Sequence, residues 1–348
     1  MRKKILVLLF IFVCSFSNAQ VAVSNFSEFK LKEFDPSLFD RVKNTTTIFV
    51  LSDYYTPEEY EKILKESWTF TPFEVVSIAD FNFSNYTLGK YSFALLKGAS
   101  RRMDKTRVAY FFIDFFHLSE KYSKKKKRNI EVYECFARIE LIPHATLLSE
   151  ALMPTGNYAQ DKAFNPVGTS YETLNFTFAN KRMSEAEEYV SGMVYNENWF
   201  HNYSLGMLKN NFQKLNSLLE KKQFYGLSEE EYTDEVKKLK KATLYIPDYL
   251  KKEYKTGKSS KLHYDDLTEK ELEDLLSDYP YKAEFISEEE LDKKILLGEE
   301  IYYLKGGFWL GFVQVVNAKT GEVVYRDRKV LSYNIRKKDF KKLAKAIK

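Results

Sequence analysis

Cysteine is almost missing from this chain of 348 residues. It holds two, and Cys14 falls inside an apolar run at the N-terminus, which leaves Cys135 alone in the remainder. An intramolecular disulfide is therefore excluded once that run is removed. Cys135 sits in the alternating pattern Tyr133, Cys135, Ala137, Ile139, where a lone thiol reads as packing material rather than as a nucleophile. Histidine is scarce too. His117, His144, His201 and His263 show neither an HExxH-like nor a paired spacing, so a zinc site has nothing to rest on, and no metal or cofactor is expected. Gly306-Gly307 lacks the Gly-Lys-Ser/Thr ending of a phosphate loop, and no Gly-x-Ser-x-Gly elbow occurs, which removes common nucleotide-binding and serine-hydrolase signatures. Long hydrophobic runs are missing as well: Ile5 to Val13 falls short of the roughly twenty residues of a membrane span, and no later run approaches it. Charge of one sign is also lacking. With 54 basic against 49 acidic residues the net charge is +5, no electrostatic footprint for nucleic acid.

What is present is core material, 44% apolar residues and 16% aromatics, in a length that suits two domains. Arg2, Lys3 and Lys4, then Ile5 to Val13, then Ser17-Asn18-Ala19 read as a secretory leader cleaved after residue 19. Its loss lowers the formal net charge from +5 to +2. The Asn18-Ala19-Gln20 ending resembles the leader ends of exported Bacteroidota proteins, and implies export. The expected location is the periplasm, because the chain ends on a Lys-rich helix and not on the β-domain of a type IX secretion signal. The alternatives are an extracellular protein or a lipid anchor on Cys14, where bulky Val13 occupies the usual small position.

Along the chain, Val21 to Asp40 reads as a lead-in draped over the first domain. Thr45 to Leu51 is a β-branched strand, and Thr56-Pro57-Glu58-Glu59 a strong helix start: a Thr cap, Pro at the first helical position, and Glu three residues after the cap. Tyr60, Ile63, Leu64 and Ser67 form one stripe of that helix. Strands follow at Phe73 to Ser77 and, after Leu88-Gly89, at Tyr91 to Leu96. Val108 to Leu118 and Ile130 to Ile142 form a hairpin, and Ala145 to Leu152 a short closing helix. The least regular stretch, Pro154 to Asn180, is where an ordered functional loop is expected, with a strand at Tyr171 to Phe178. Helices then follow from the Ser184/Glu187 capping box, over Leu205 to Leu219, and from Ser228 to near Lys241.

The next stretch repeats the first. Ala242 to Ile246 resembles the strand at Thr47 to Leu51, and a charged insertion, Lys251 to Asp266, delays the helix. Thr268-Glu269-Lys270-Glu271 then repeats the capping box, Leu272, Leu275 and Leu276 the stripe, Phe285-Ile286-Ser287 the strand Val75-Val76-Ser77, and Leu297-Gly298 the pair Leu88-Gly89. From the capping boxes onward the matched positions lie near 209 to 212 residues apart. Strands at Phe312 to Val316 and Glu322 to Tyr325 around a Gly321 turn, then a helix from Lys337 to Ile347, complete the second copy. The fold class is α/β (α+β): two similar small mixed-sheet modules joined by a helical connector, divided as leader 1–19, first module 20–153, connector 154–241 and second module 242–348. This element order resembles the α/β domain at the start of TolB and in CsgG-type periplasmic proteins, a topological likeness that transfers no binding residue.

Asp114 and His117 are three apart, so in a strand they point to opposite faces and form no dyad; the expectation is instead that Asp114 faces a basic partner such as Arg138. The basic run Lys124, Lys125, Lys126, Lys127 and Arg128 reads as a solvated hairpin tip or as a contact for phospholipid headgroups or an anionic polymer. Tyr54, Tyr55 and Tyr249 follow the first strand of each module and are the candidate surface contacts. Asn165 and Tyr171 are the candidates in the irregular loop. Duplication without a catalytic constellation points to a non-catalytic binding or scaffold protein of the bacterial cell envelope, its partner an envelope protein or polymer. The alternative is a hydrolase-like enzyme with a divergent site at the inter-module loop.

Overall fold

The computed structural model describes residues 21–25, 32–103, 106–144, 195, 198–226, 231–256, 262–306, 312–328 and 334–348. The leader, the helix expected at Ala145 to Leu152, the loop with Asn165 and Tyr171, and the caps at Ser184 and Ser228 lie outside these residues.

Among the described residues the chain builds two six-stranded mixed sheets. The first uses β1 (Val21–Val23), β2 (Thr46–Val50), β3 (Phe73–Val75), β4 (Tyr91–Met103), β5 (Thr106–Ser123) and β6 (Arg128–Glu140), in the order β1-β6-β5-β4-β2-β3. The second uses β7 (Glu231–Tyr232), β8 (Leu244–Pro247), β11 (Ala283–Ile286), β12 (Tyr302–Gly306), β13 (Phe312–Asn317) and β14 (Val323–Arg328), and read from its other end the order is β7-β14-β13-β12-β8-β11. Strand for strand these are the same sheet. Each has a parallel core, β3-β2-β4 and β11-β8-β12, with antiparallel strands beyond it. Register agrees as well. Ser92 faces Thr47 and His117, while Tyr302 faces Leu244 and Asn317. Both sheets carry a bulge at one place, between Phe115 and Phe116 and between Val315 and Val316. A bulge adds an unpaired residue and bends the strand, so its recurrence at matched positions is hard to reach without duplication.

The structure corrects the sequence reading in two places and adds to it in a third. The lead-in is not draped over the domain: it supplies edge strand β1 and helix α1 (Ser37–Lys43), and β7 with the 3-10 helix Asp234–Lys240 is their counterpart. That same segment replaces the α-helix expected to end near Lys241. The charged insertion forms a hairpin of its own, β9 (Lys252–Thr256) against β10 (Leu262–Asp266).

The helix starts form as their residues dictate. In α2 (Pro57–Ser67) the Thr56 hydroxyl accepts from Glu59 N while the Glu59 carboxylate accepts from Thr56 N, and α4 (Glu269–Leu276) repeats this with Thr268 and Glu271. The stripe Tyr60, Ile63, Leu64 and Ser67 is buried. Gly89 and Gly298 take φ of +82° and +72°, which a side chain disfavours. Ser287 caps α5 (Glu288–Leu296), a full helix where the first copy has the turn capped by Ser77 and Asp80 and a short 3-10 helix, Phe83–Asn85.

The connector helix α3 (Leu205–Glu220) lies between the sheets. Its Leu208, Phe212, Leu215 and Leu219 enter the core of the first sheet, where Phe49 touches Phe212, Trp68 and Phe115 edge-on at 5.6, 5.3 and 6.0 Å. Its other side meets the second sheet: Met207 joins Leu291, Ile295, Tyr303 and Val316, Asn210 Nδ2 donates to Ala318 O at 2.8 Å, and Tyr303 Oη donates to Asn210 Oδ1 at 3.1 Å. Burial around most of its circumference is what a helix shared by two layers requires. Helix α6 (Lys337–Ile347) covers the opposite face of the second sheet with Phe340, Leu343 and Ile347.

Candidate functional site

Of the expected surface tyrosines, Tyr54 is 51% exposed and rests edge-on against Tyr55 at 4.7 Å. Tyr249 does not join them, which corrects its reading as a surface contact. It is 4% exposed, donates its hydroxyl to Gly306 O at 2.8 Å and stacks on His201 at 4.4 Å. The basic run does reach solvent. Ser119 to Ser123 pair with Val132 to Arg128 beyond the β4 ladder, which stops on this side near the Ser92–His117 pair. A two-stranded arm therefore projects from the sheet and carries Lys124 to Arg128 exposed at its tip, with Tyr122 64% exposed beside them.

Asp114 faces Arg138 as its residue type requires. They are register partners, and Arg138 Nε donates to Asp114 Oδ1 at 2.9 Å. Lys97 Nζ lies 3.5 Å from Asp114 Oδ2, which also accepts from the Tyr133 hydroxyl, and Cys135 Sγ donates to Oδ1 at 3.4 Å. Burial opposes ionisation of Asp114, but Arg138 and Lys97 outweigh it and hold its carboxyl down at about 2. Burial and the neighbouring Asp114 push the Cys135 thiol well up, and a protonated thiol is a poor nucleophile. This cluster is a sealed charge network under the sheet. His117 points to the other face, as expected.

There, between α1 and β5, Asp35, Arg41, Asn44, His117, Ser119 and Lys121 help line an open groove of about 640 Å³. Glu134 occupies its cations, taking Arg41 at 2.5 and 3.1 Å and Lys121 at 2.6 Å. Burial pulls His117 below its ordinary value, and Glu134 Oε2 lies 3.7 Å from Nδ1. On the opposite face an apolar cavity of about 190 Å³ is lined by Phe83, Tyr86, Leu88, Tyr91, Phe93 and Leu118.

Two histidines meet where the first sheet joins the second, a contact invisible in their spacing. His144 follows β6, His201 precedes α3, their rings lie 4.2 Å apart, and His201 Nδ1 is 3.0 Å from Glu288 Oε1 at the start of α5. Burial first, then the charges of His201 and Lys252, pull His144 down to about 3. Below pH 6.5 the unfolded chain protonates at His144 while the folded chain resists, so stability falls as pH drops from 6.5 toward 3. By pH 5 the loss is on the order of 1 kcal/mol, solvent screening of its partly exposed ring included. His144→Gln is expected to flatten the fall in Tm between pH 6.5 and 5; an unchanged slope would remove His144 as its source.

Among the described residues no group of three His, Cys, Asp or Glu side chains is placed to hold a metal ion, and no helix is long and apolar enough to cross a membrane. No family model matches the chain, and no curated protein or solved structure matches it.

Proposed function

We propose that the chain is an exported, non-catalytic binding protein of the bacterial cell envelope, periplasmic in location, that engages an anionic surface through its β5–β6 arm. The observation that carries this reading is the arm itself: five cations in successive positions, exposed, on a ribbon that continues past its own sheet. A charge run on a short turn needs no such extension to be solvated. Carried past the β4 ladder, the Lys and Arg heads are exposed to a flat partner, and Tyr122 supplies an aromatic ring that suits an interface. The leader-like residues 1–19 support the address. The hydrolase-like alternative rests on a loop outside the described residues.

The test is co-sedimentation of the mature chain with anionic and with zwitterionic phospholipid vesicles, at low and high salt. Binding only to the anionic vesicles, weakened by salt, is expected. Each Lys near such a surface is worth about 1 kcal/mol, so changing Lys124, Lys125, Lys126 and Lys127 together to Ser is expected to weaken binding roughly a hundredfold or more. Equal binding by that variant, or no binding by the wild type, sinks the reading.

A further inference from the structure

A row of four side chains crosses the second sheet: Lys305 on β12, Gln314 on β13, Arg326 on β14 and Glu231 on β7 are successive register partners. Lys305, Gln314 and Arg326 are 2%, 2% and 1% exposed. The matching row of the first sheet is Leu95, Asp114, Arg138 and Ala22. The comparison exposes a missing charge. In the first sheet the Asp114 carboxylate stands between Arg138 and Lys97; in the second, neutral Gln314 takes its place and a lysine replaces Leu95. Glu231 lies at the far end, with Oε2 3.4 Å from Arg326.

Lys305 Nζ has an amide for company, donating to Asn211 Oδ1 of α3 at 2.8 Å. The groups around it are donors with nothing to meet. Asn211 Nδ2 and Gln314 Nε2 are buried without a hydrogen-bond partner, and buried polar groups are normally satisfied.

We propose that Lys305, Asn211 and Gln314 together bind a small monovalent anion of the halide type, which supplies the countercharge that Asp114 supplies in the first sheet. Ammonium and amide N–H groups are the donors that suit such an ion, and burial in a low-dielectric layer strengthens their hold on it. Consistent with a cation lacking its partner, burial pulls Lys305 down to about 7. This inference stands on the second sheet alone and is independent of the arm.

The test replaces sodium gluconate by sodium chloride at constant ionic strength. The wild-type Tm is expected to rise by several degrees, and Lys305→Met, which keeps the volume and removes the charge, is expected to show no response. Gln314→Leu serves as the second variant, with a weakened response expected. Crystals grown in bromide are expected to show an anomalous peak at hydrogen-bond distance from Lys305 Nζ. No chloride response in the wild type, an equal response in Lys305→Met, or only water at the site overturns the proposal.

Discussion

Asp114→Leu is expected to destabilise the chain by about 3–5 kcal/mol, the cost of breaking a buried ion network by removing its carboxylate. Lys97 is 3% exposed and Arg138 is mostly buried, and both are ion-paired with this carboxylate. Removing it takes a shared countercharge from both cations beneath the sheet, while the Tyr133 hydroxyl, 3.2 Å from Lys97 Nζ, and the rings of Phe116, 4.4 Å from Lys97 Nζ, and Phe112, 3.7 Å from the Arg138 guanidinium, stay in place. Urea unfolding of Asp114→Leu measures the loss. The double variant Asp114→Leu/Arg138→Met is expected to recover part of it, because an apolar pair of similar volume replaces a buried ion pair at little cost. Acid provides an independent check. The Asp114 carboxyl is held at about 2 in the fold against 3.8 ordinarily, so its contribution is complete above pH 3.8 and is lost as pH falls from there through 2. A urea midpoint for Asp114→Leu equal to that of the wild type would show that the network contributes nothing.

Local chemistry made much of the fold legible. Thr56 with Glu59 and Thr268 with Glu271 mark helix starts through bonds made within four residues, and Gly89 and Gly298 mark left-handed positions that their missing side chains allow. The Asp114–Arg138 pair was readable because a hairpin keeps it within one local unit. What depends on distant partners was not. β1 has three residues and β7 two, and each becomes a strand only because β6 or β14 offers it an edge. Tyr249 looked like Tyr54 by its place after a strand, yet its burial is decided by His201 and Gly306, far away in sequence. Asn210, Asn211 and Lys214 are polar by residue type, yet their side of α3 meets the second sheet. The Lys305–Gln314–Arg326 row has no sequence signal at all, since only register across three strands gathers it.

The shared helix carries the second large effect. Gly321→Ala is expected to loosen the second sheet from α3, and Gly298→Ala shows how much of that comes from contact. Both glycines have φ of +72°, so either substitution carries the left-handed strain of roughly 1–2 kcal/mol. Their surroundings differ. A Cβ on Gly298 meets nothing within 4 Å, but one on Gly321 falls 2.3 Å from Asn210 O and 3.1 Å from Asn210 C. Those are backbone atoms in the middle of a buried helix and cannot swing aside as a side chain does. The turn must lift instead, stretching the bond from Asn210 Nδ2 to Ala318 O, the bond from Gln213 Nε2 to Lys319 O at 3.3 Å, and the Lys214–Glu322 ion pair at 2.6 Å. Losing even two of these, about 1 kcal/mol each, on top of the strain puts Gly321→Ala at about 3–4 kcal/mol, well beyond Gly298→Ala. Urea unfolding gives the two values, and hydrogen exchange locates the damage: the amides of β12 to β14 are expected to lose protection in Gly321→Ala while those of β4 to β6 keep theirs. If both glycine variants unfold alike, the turn does not hold the sheet to the helix, and α3 is a tether for two separate units rather than the layer they share.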